Sequence, residues 1–481
     1  MSHNIRARIH LACALILSAS MLVGSSIANA QGAPPDASPR AIPDCDGLPA
    51  TIVGTPGADR IDGTAGNDVI AGLGGDDVIH GLEGDDHICS GPGNDVARGG
   101  PGSDGLAGEG GNDTLRCGPG FDDGGLSGGT GDDTLYGESL CSNALFPGLG
   151  DDLIVGGSPK EWTAVFYEDA TGPIHANLLT GIATGQGTDT LVNVNCLFGS
   201  PYDDTLIGDN GDNWLVGRAG DDTLIGHGGH DKLSGEQDAD IYRGGPGFDV
   251  AEYFDDAAAD GREIGPMNVN LRTGIATGDG TDSLTSIEAA TGSDKADTMI
   301  GDRKDNAFFW LFDGYDTVRA GGGDDFVESS AGPNALSGGP GRDLVLYLDG
   351  EDFDHQHAAV TVDLGAGTSS SGDTLSGFED VLGSPEDDTL IGDDGPSSLY
   401  GYLGNDVLSG AAGDDRLFGG RGEDEADGGI GADHCRAETQ ENCESLSRRD
   451  RRPVPTHLWR SLAEWTINDA GIDVTSFHDL R

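Results

Sequence analysis

Aspartate recurs every nine residues between Gly54 and Gly125, at Asp59, Asp68, Asp77, Asp86, Asp95, Asp104, Asp113 and Asp122. A carboxylate can bind a cation, move a proton or sit solvated on a surface, and the spacing separates these roles. Here each Asp holds the same place in a nine-residue unit. Successive units read GTAGNDVIA (63–71), GLGGDDVIH (72–80) and GLEGDDHIC (81–89), a G-x-x-G-x-D-x-U-x pattern with U usually aliphatic. Glycine at the first and fourth positions permits positive φ and lets backbone carbonyls approach a neighbour. The x-U-x triplet is a minimal strand, with U on one side and its flankers on the other. Repeated carboxylate and carbonyl oxygens are donors for a hard cation.

These units resemble the RTX, or haemolysin-type, calcium-binding nonapeptide repeat, over most of residues 45–444. The resemblance implies an all-β fold: a right-handed parallel β-roll, or β-solenoid, with two units per coil. The Asp of one unit would then lie above the Asp eighteen residues on. A carboxylate from one turn and carbonyls from the next would form an all-oxygen cage for Ca2+. One aliphatic side chain per nine residues is too little apolar surface to offset the ordering of nine backbones. Unneutralised Asp residues about 4.8 Å apart would repel by roughly 0.9 kcal/mol even in the dielectric of water. The expectation is an acidic, disordered chain that folds when calcium binds.

The same pattern continues along the chain. Two extra residues, Leu126 and Ser127, shift the phase, and repeats resume at GGTGDDTLY (128–136) and PGLGDDLIV (147–155), adding Asp133 and Asp152. A second run carries Asp204, Asp222, Asp231, Asp240 and Asp249, with Asn213 at one acidic position. A third, degraded run keeps Asp297, Asp316, Asp325 and Asp343, with Asn306 and Asn334 substituted. The fourth has Asp388, Asp406, Asp415, Asp424 and Asp433, with Ser397 substituted. All these Asp residues are the expected metal ligands; paired two units apart they would hold roughly sixteen ions at most. Asn offers an uncharged oxygen, so its sites should be weaker.

Three longer segments separate the runs and share a core: LLTGIATGQGTDTL (178–191), LRTGIATGDGTDSL (271–284) and the looser VDLGAGTSSSGDTL (362–375). Each begins with aromatic and acidic residues, Phe166–Asp169, Tyr253–Asp256 and Tyr347–Asp349, and ends in Gly-Ser. Val, Leu, Ile and Thr with turn glycines read as longer β coils serving as spacers, with a ligand surface built on the aromatics as the sharper alternative. The expected organisation is a signal peptide (1–30), a flexible leader (31–44), a first run with its cap (45–157), a spacer (158–198) and a second run (199–250). A spacer (251–291), a third run (292–344), a spacer (345–382), a fourth run with a terminal cysteine loop (383–444) and a basic tail (445–481) follow.

The first thirty residues carry Arg6 and Arg8, an apolar stretch from Leu11 to Val23 and an Ala28-Asn29-Ala30 cleavage site, which implies export. Nothing later is apolar enough to span a membrane. Cys13 leaves with the signal, and an exported chain can oxidise the remaining cysteines. Cys435 and Cys443 are placed to close a terminal loop. Cys45–Cys89 and Cys117–Cys141 are the favoured further pairs, which leaves Cys196 over. In the basic tail, Leu458, Leu462 and Trp465 share one face of a possible short helix, read as a cap or a surface-attachment segment.

Net charge is −58 over 481 residues, with 83 glycines. Such acidity excludes a nucleic-acid binder, which needs a basic surface. Catalytic motifs are also missing. There is no H-E-x-x-H, P-loop or EF-hand loop, and His227 and His230 fall at variable turn positions. The G-x-S-x-G match at Gly125–Gly129 is expected from glycine content alone and lacks a strand-elbow-helix setting. In pairs such as Asp76–Asp77, the second Asp already belongs to a calcium turn. The reading is a secreted, non-enzymatic calcium-binding protein with a structural or surface role. An adhesin-like or glycan-binding surface protein, or a non-catalytic relative of an RTX hydrolase, are the alternatives.

Overall fold

A computed structural model describes residues 44–45, 47–119, 124–137, 143–158, 162–253, 265–278, 280–312, 314–330, 332–347 and 358–443. The expected signal peptide, Asp122, Cys141 and the basic tail lie outside the described residues, as does all of the leader but Asp44. Among the described residues there is no helix, and hence none long and apolar enough to cross a membrane. The fold is a parallel β-solenoid of short strands. Residues through Gln237 and those from Asp238 onward form two compact units, each built the same way.

Each x-U-x triplet is a strand, and alternate triplets enter two different sheets. In the first sheet Ile70 pairs with Ile88, which pairs with Leu106. In the second, Ile61 pairs with Ile79, then Ala97, then Leu115. Parallel partners are eighteen residues apart, so two units make one coil, as the resemblance implied. The U side chains turn inward: Ile70, Ile79, Ala97 and Leu115 are fully buried. The extra residues near 126 are absorbed within one coil, where Leu106 pairs with Leu126, and the ladder continues to Leu145 and Val165. In the other unit the same stacking runs through Phe308, Val327, Val345, Val381 and Leu399.

The spacers continue the solenoid by a detour rather than by simple longer coils. After Thr163–Phe166 in the first sheet, the chain runs ahead to His175–Asn177, which stacks under Thr205–Ile207. It then returns through antiparallel strands Ile182–Thr184 and Thr188–Val192, the last lying parallel on Leu153–Val155. One sheet thereby gains two strands. Asn268–Asn270, Ile275–Thr277 and Thr281–Thr285 repeat this, as do Thr361–Asp363, Thr368–Ser369 and Thr374–Ser376. The L-x-T-G shared by the first two spacers is the turn: Thr180 N–H donates to Asn177 Oδ1 (3.1 Å), Thr273 N–H to Asn270 Oδ1 (3.0 Å), and Gly181 has φ of 67°, which glycine takes without strain.

Aromatic side chains line the flank of the first sheet around the first spacer. Phe146, Phe166 and Phe198 stack at centroid distances of 5.0 and 4.3 Å, and Trp214 meets Phe198 edge-on. Disulfides join Cys45 to Cys89 and Cys435 to Cys443, as the spacing suggested. Cys117 is also disulfide-bonded, and Cys196 is a buried thiol 3.8 Å from Asn195 Oδ1.

Candidate metal centre

Among the described units the sixth position, Asp59 excepted, is buried beside the turn, and where it is Asp its carboxylate can do two separate jobs. Its Oδ1 accepts a hydrogen bond from the backbone N–H of the sixth residue one coil earlier. Asp59 N–H donates to Asp77 Oδ1 (2.7 Å), Asp68 to Asp86 (2.9 Å), Asp77 to Asp95 (2.6 Å) and Asp86 to Asp104 (2.9 Å). The ladder survives the phase shift, since Asp113 N–H reaches Asp133 Oδ1 (2.7 Å) and Asp133 N–H reaches Asp152 Oδ1 (2.7 Å). In the fourth run Asp388 N–H donates to Asp406, Asp406 to Asp424 and Asp415 to Asp433.

The other oxygen, Oδ2, is buried without a hydrogen-bond partner at Asp77, Asp86, Asp95, Asp104, Asp113, Asp133 and Asp152. The same holds at Asp325, Asp343, Asp406, Asp415, Asp424 and Asp433. A buried, unpaired carboxylate oxygen is costly, and its repetition at one structural position fits a place for a cationic partner. For most of them the space each faces is kept open by glycine, while Ser90, Pro147 and Ala320 hold that position before Asp95, Asp152 and Asp325. A methyl group on Gly81 would collide with Asp86 Oδ2 and the Gly99 carbonyl; one on Gly72 would meet Asp77 Oδ2 and the Ser90 carbonyl. Thus first-position glycine serves close approach. Positive φ falls on the second and fourth positions, as at Leu73 (83°), Leu82 (88°), Gly75 (107°) and Gly84 (115°).

A carboxylate oxygen of one turn and a carbonyl oxygen of the next therefore converge on one point in coil after coil. Such a hard, all-oxygen donor set fits calcium. Among the described residues, no three His, Cys, Asp or Glu side chains group into a metal site. The donors are instead carboxylates and backbone carbonyls. The electrostatics fit a cation at these positions. Burial, opposed by the backbone hydrogen bond and reinforced by neighbouring carboxylates, pushes Asp104, Asp113, Asp152, Asp325, Asp343 and Asp406 up to about 7. Asp95, Asp133 and Asp415 rise to about 6, with burial again the largest cause. A bound divalent ion would supply the positive charge that keeps these groups ionised.

The remaining expected ligands divide. Asp222, Asp231, Asp240 and Asp249 are buried at the same structural position. At Asp59, Asp68, Asp204, Asp297 and Asp388 the chain itself supplies donors to Oδ2. The N–H of the residue four positions earlier, Thr55, Thr64, Ser200, Ser293 or Ser384, bonds that oxygen. The hydroxyl of the same residue adds a second bond to the carboxylate. Asp316 Oδ2 receives the Ser330 hydroxyl at 3.4 Å. Asn213 and Asn306 each accept the N–H four residues earlier, from Asp209 and Asp302 (both 2.7 Å).

Several rungs were not expected from the sequence. Asp189 accepts Asp152 N–H (3.2 Å), Asp282 accepts Asp240 N–H (3.1 Å), and Asp373 accepts Asn334 N–H (2.9 Å). Six residues on, Asn195, Glu288 and Glu379 fill the rung on the other edge. The signal was present: Gly187–Val192 and Gly280–Thr285 repeat the last six positions of the nonapeptide inside the spacers. The fifth position forms an outer ladder, in which Asp85 Oδ1 accepts Ser103 N–H and Asn94 Oδ1 accepts Asn112 N–H. The spacer tyrosines turn inward; Tyr167 and Tyr253 are buried at 2% exposure and Tyr347 at 8%. Ser127 lies within the strand Leu126–Thr130, paired with Ala107 and Phe146, so no nucleophile elbow is formed.

Stacked coils with open carboxylate–carbonyl cradles along their turns define a calcium-binding β-solenoid. The model of the RTX calcium-binding nonapeptide repeat matches residues 53–88, 90–123, 126–139, 198–233, 217–251, 313–336, 319–354, 382–417 and 400–435. The chain belongs to that family. Asp189, Asp282 and Asp373 fall outside every matched range. Among curated proteins, none matches the chain.

Proposed function

We propose that this chain is a secreted structural protein that folds outside the cell as calcium fills its buried carboxylate ladders, and that it carries out no catalysis. The observation that carries this reading is the recurring unpartnered Oδ2 facing a neighbouring coil's carbonyl. Extracellular calcium modules bind at about 10⁻⁴–10⁻³ M, far above cytosolic levels, so such a chain stays unfolded until export. Three disulfide-bonded positions in the first run, Cys45, Cys89 and Cys117, agree with an oxidising compartment. The acid pairs that suggested proton chemistry are divided between an inner metal ladder and an outer structural one, which supports a non-enzymatic role. Expression with the native leader, followed by separation of cells and medium, tests export. Recovery of the mature chain from the medium, compact with calcium and protease-sensitive in chelator, is expected. A chain retained inside cells would count against it.

A further inference from the structure

The open cradles do not run unbroken. Each repeat run begins with a coil in which the chain satisfies its own acidic positions. In the first run Thr55 closes Asp59 and Thr64 closes Asp68. In the later runs Ser200, Ser293 and Ser384 close Asp204, Asp297 and Asp388. The next acidic place in those coils is taken by Asn213, Asn306 or Ser397, which carry no charge. From above, these same Asp residues accept spacer N–H groups: Ile174 to Asp204, Met267 to Asp297 and Val360 to Asp388, each at 2.7 Å.

Two spacer rungs, Asp189 and Asp373, are closed as well, by donors from the spacers and the strands beside them. The Tyr167 hydroxyl donates to Asp189 Oδ2 at 2.9 Å. Asp373 Oδ2 accepts the hydroxyls of Tyr347 (3.1 Å), Ser329 (2.9 Å) and Ser369 (2.7 Å). In the third run one edge is closed along its whole length. Asp297 is held by Ser293, Asp316 by Ser330, Asn334 donates to the Ser330 carbonyl, and Asp373 is held by hydroxyls. The opposite edge of that run keeps open Oδ2 atoms at Asp325 and Asp343.

We propose that calcium loads this chain as separate arrays, divided by coils that the chain's own hydroxyls close to the ion. The reason is donor competition. An Oδ2 that already accepts an N–H and lies beside a hydroxyl has its lone pairs committed, and a cation would have to displace both donors and bury their unpaired groups. An open Oδ2 has nothing to displace. The first coil of each run thus serves as a metal-free starter, and the third run takes ions along one edge only. This rests on calcium filling the open cradles.

The test is the number of calcium ions bound per full-length chain, measured by equilibrium dialysis with elemental analysis on two triple variants. Asp204→Asn/Asp297→Asn/Asp388→Asn changes closed rungs, and Asn already stands at the comparable 213 and 306. Asp104→Asn/Asp343→Asn/Asp406→Asn changes open ones. The closed-rung variant should bind as many ions as the parent, and the open-rung variant should bind fewer. Equal losses in both, or losses in neither, would overturn the proposal. Circular dichroism in saturating calcium checks folding, and the single substitutions are read separately if a triple falls short of the parental strand signal. A parent chain that binds no calcium would defeat the calcium reading itself, an outcome distinct from either of these.

Discussion

At Asp85 and Asp86, neighbours in sequence, identical side chains do opposite work. Asp86 presents a buried Oδ2 to an open cradle, whereas Asp85 is exposed and accepts Ser103 N–H from its own ladder. Asp86→Ala should raise the calcium concentration needed to fold the first run, read by circular dichroism. Asp85→Ala should leave that midpoint near the parent's and cost only its two exposed hydrogen bonds, from Ser103 N–H and Asn67 Nδ2, about 0.5–1.5 kcal/mol each at most in calcium-saturated denaturation. Equal midpoint shifts would contradict the register. Gly81 tests the cradle from its other wall. Gly81→Ala places a methyl group against Asp86 Oδ2 and the Gly99 carbonyl, and should weaken calcium binding without removing any ligand. Unchanged affinity in a titration calorimeter would argue that no ion sits there.

Within the elements, the most exacting contact is an ion pair on the flank of the first sheet. Asp380 is buried at 4% exposure and held bidentately by Arg342, with Nε 2.9 Å from Oδ2. Arg342→Ala leaves a buried carboxylate without its cation and should cost about 3–5 kcal/mol of stability, measured by denaturation in calcium. A loss below about 1 kcal/mol would mean that the pair is solvated. The solenoid itself was legible because the nine-residue period sets the inward U positions and the family resemblance it carries implies the two-unit coil, as in the pairing of Ile70 with Ile88. The spacer topology was not. Its antiparallel detour depends on which strand His175–Asn177 stacks against, a long-range choice that Val, Thr and Gly spacing leaves open. The Asp189 and Asp282 rungs were written as G-T-D-T-L-V and G-T-D-S-L-T but sat outside the nine-residue phase. The closing hydroxyls of Thr55 and Ser200 were hidden because the variable positions of a repeat look alike until the turn is folded.

Across the whole molecule, a net charge of −58 is held in phased ladders. Without metal, burial lifts many inner carboxyl groups to about 6 or 7, against about 3.9 in an unfolded chain. A group whose pKa is raised by folding favours the folded state fully below its unfolded pKa and loses that contribution as pH rises through the folded value. In chelator, strand content should therefore be greater near pH 4 than at pH 7.5, with the change falling between about 4 and 7. In calcium the dependence reverses, because protons compete for the ligands, and the folding midpoint should move to higher calcium as pH drops from 7.5 to 5.5. A pH-independent midpoint over that interval would separate folding from these carboxylates. The central claim is that a divalent ion turns a repelling acidic chain into stacked coils. Its most direct test is far-ultraviolet circular dichroism of the full chain at pH 7.5, titrated with calcium after exhaustive chelation and compared with magnesium. The strand signal should be absent in chelator, appear on adding calcium and be lost again on adding EDTA, while equal magnesium fails to produce it. Full strand signal in the chelated protein would contradict the account.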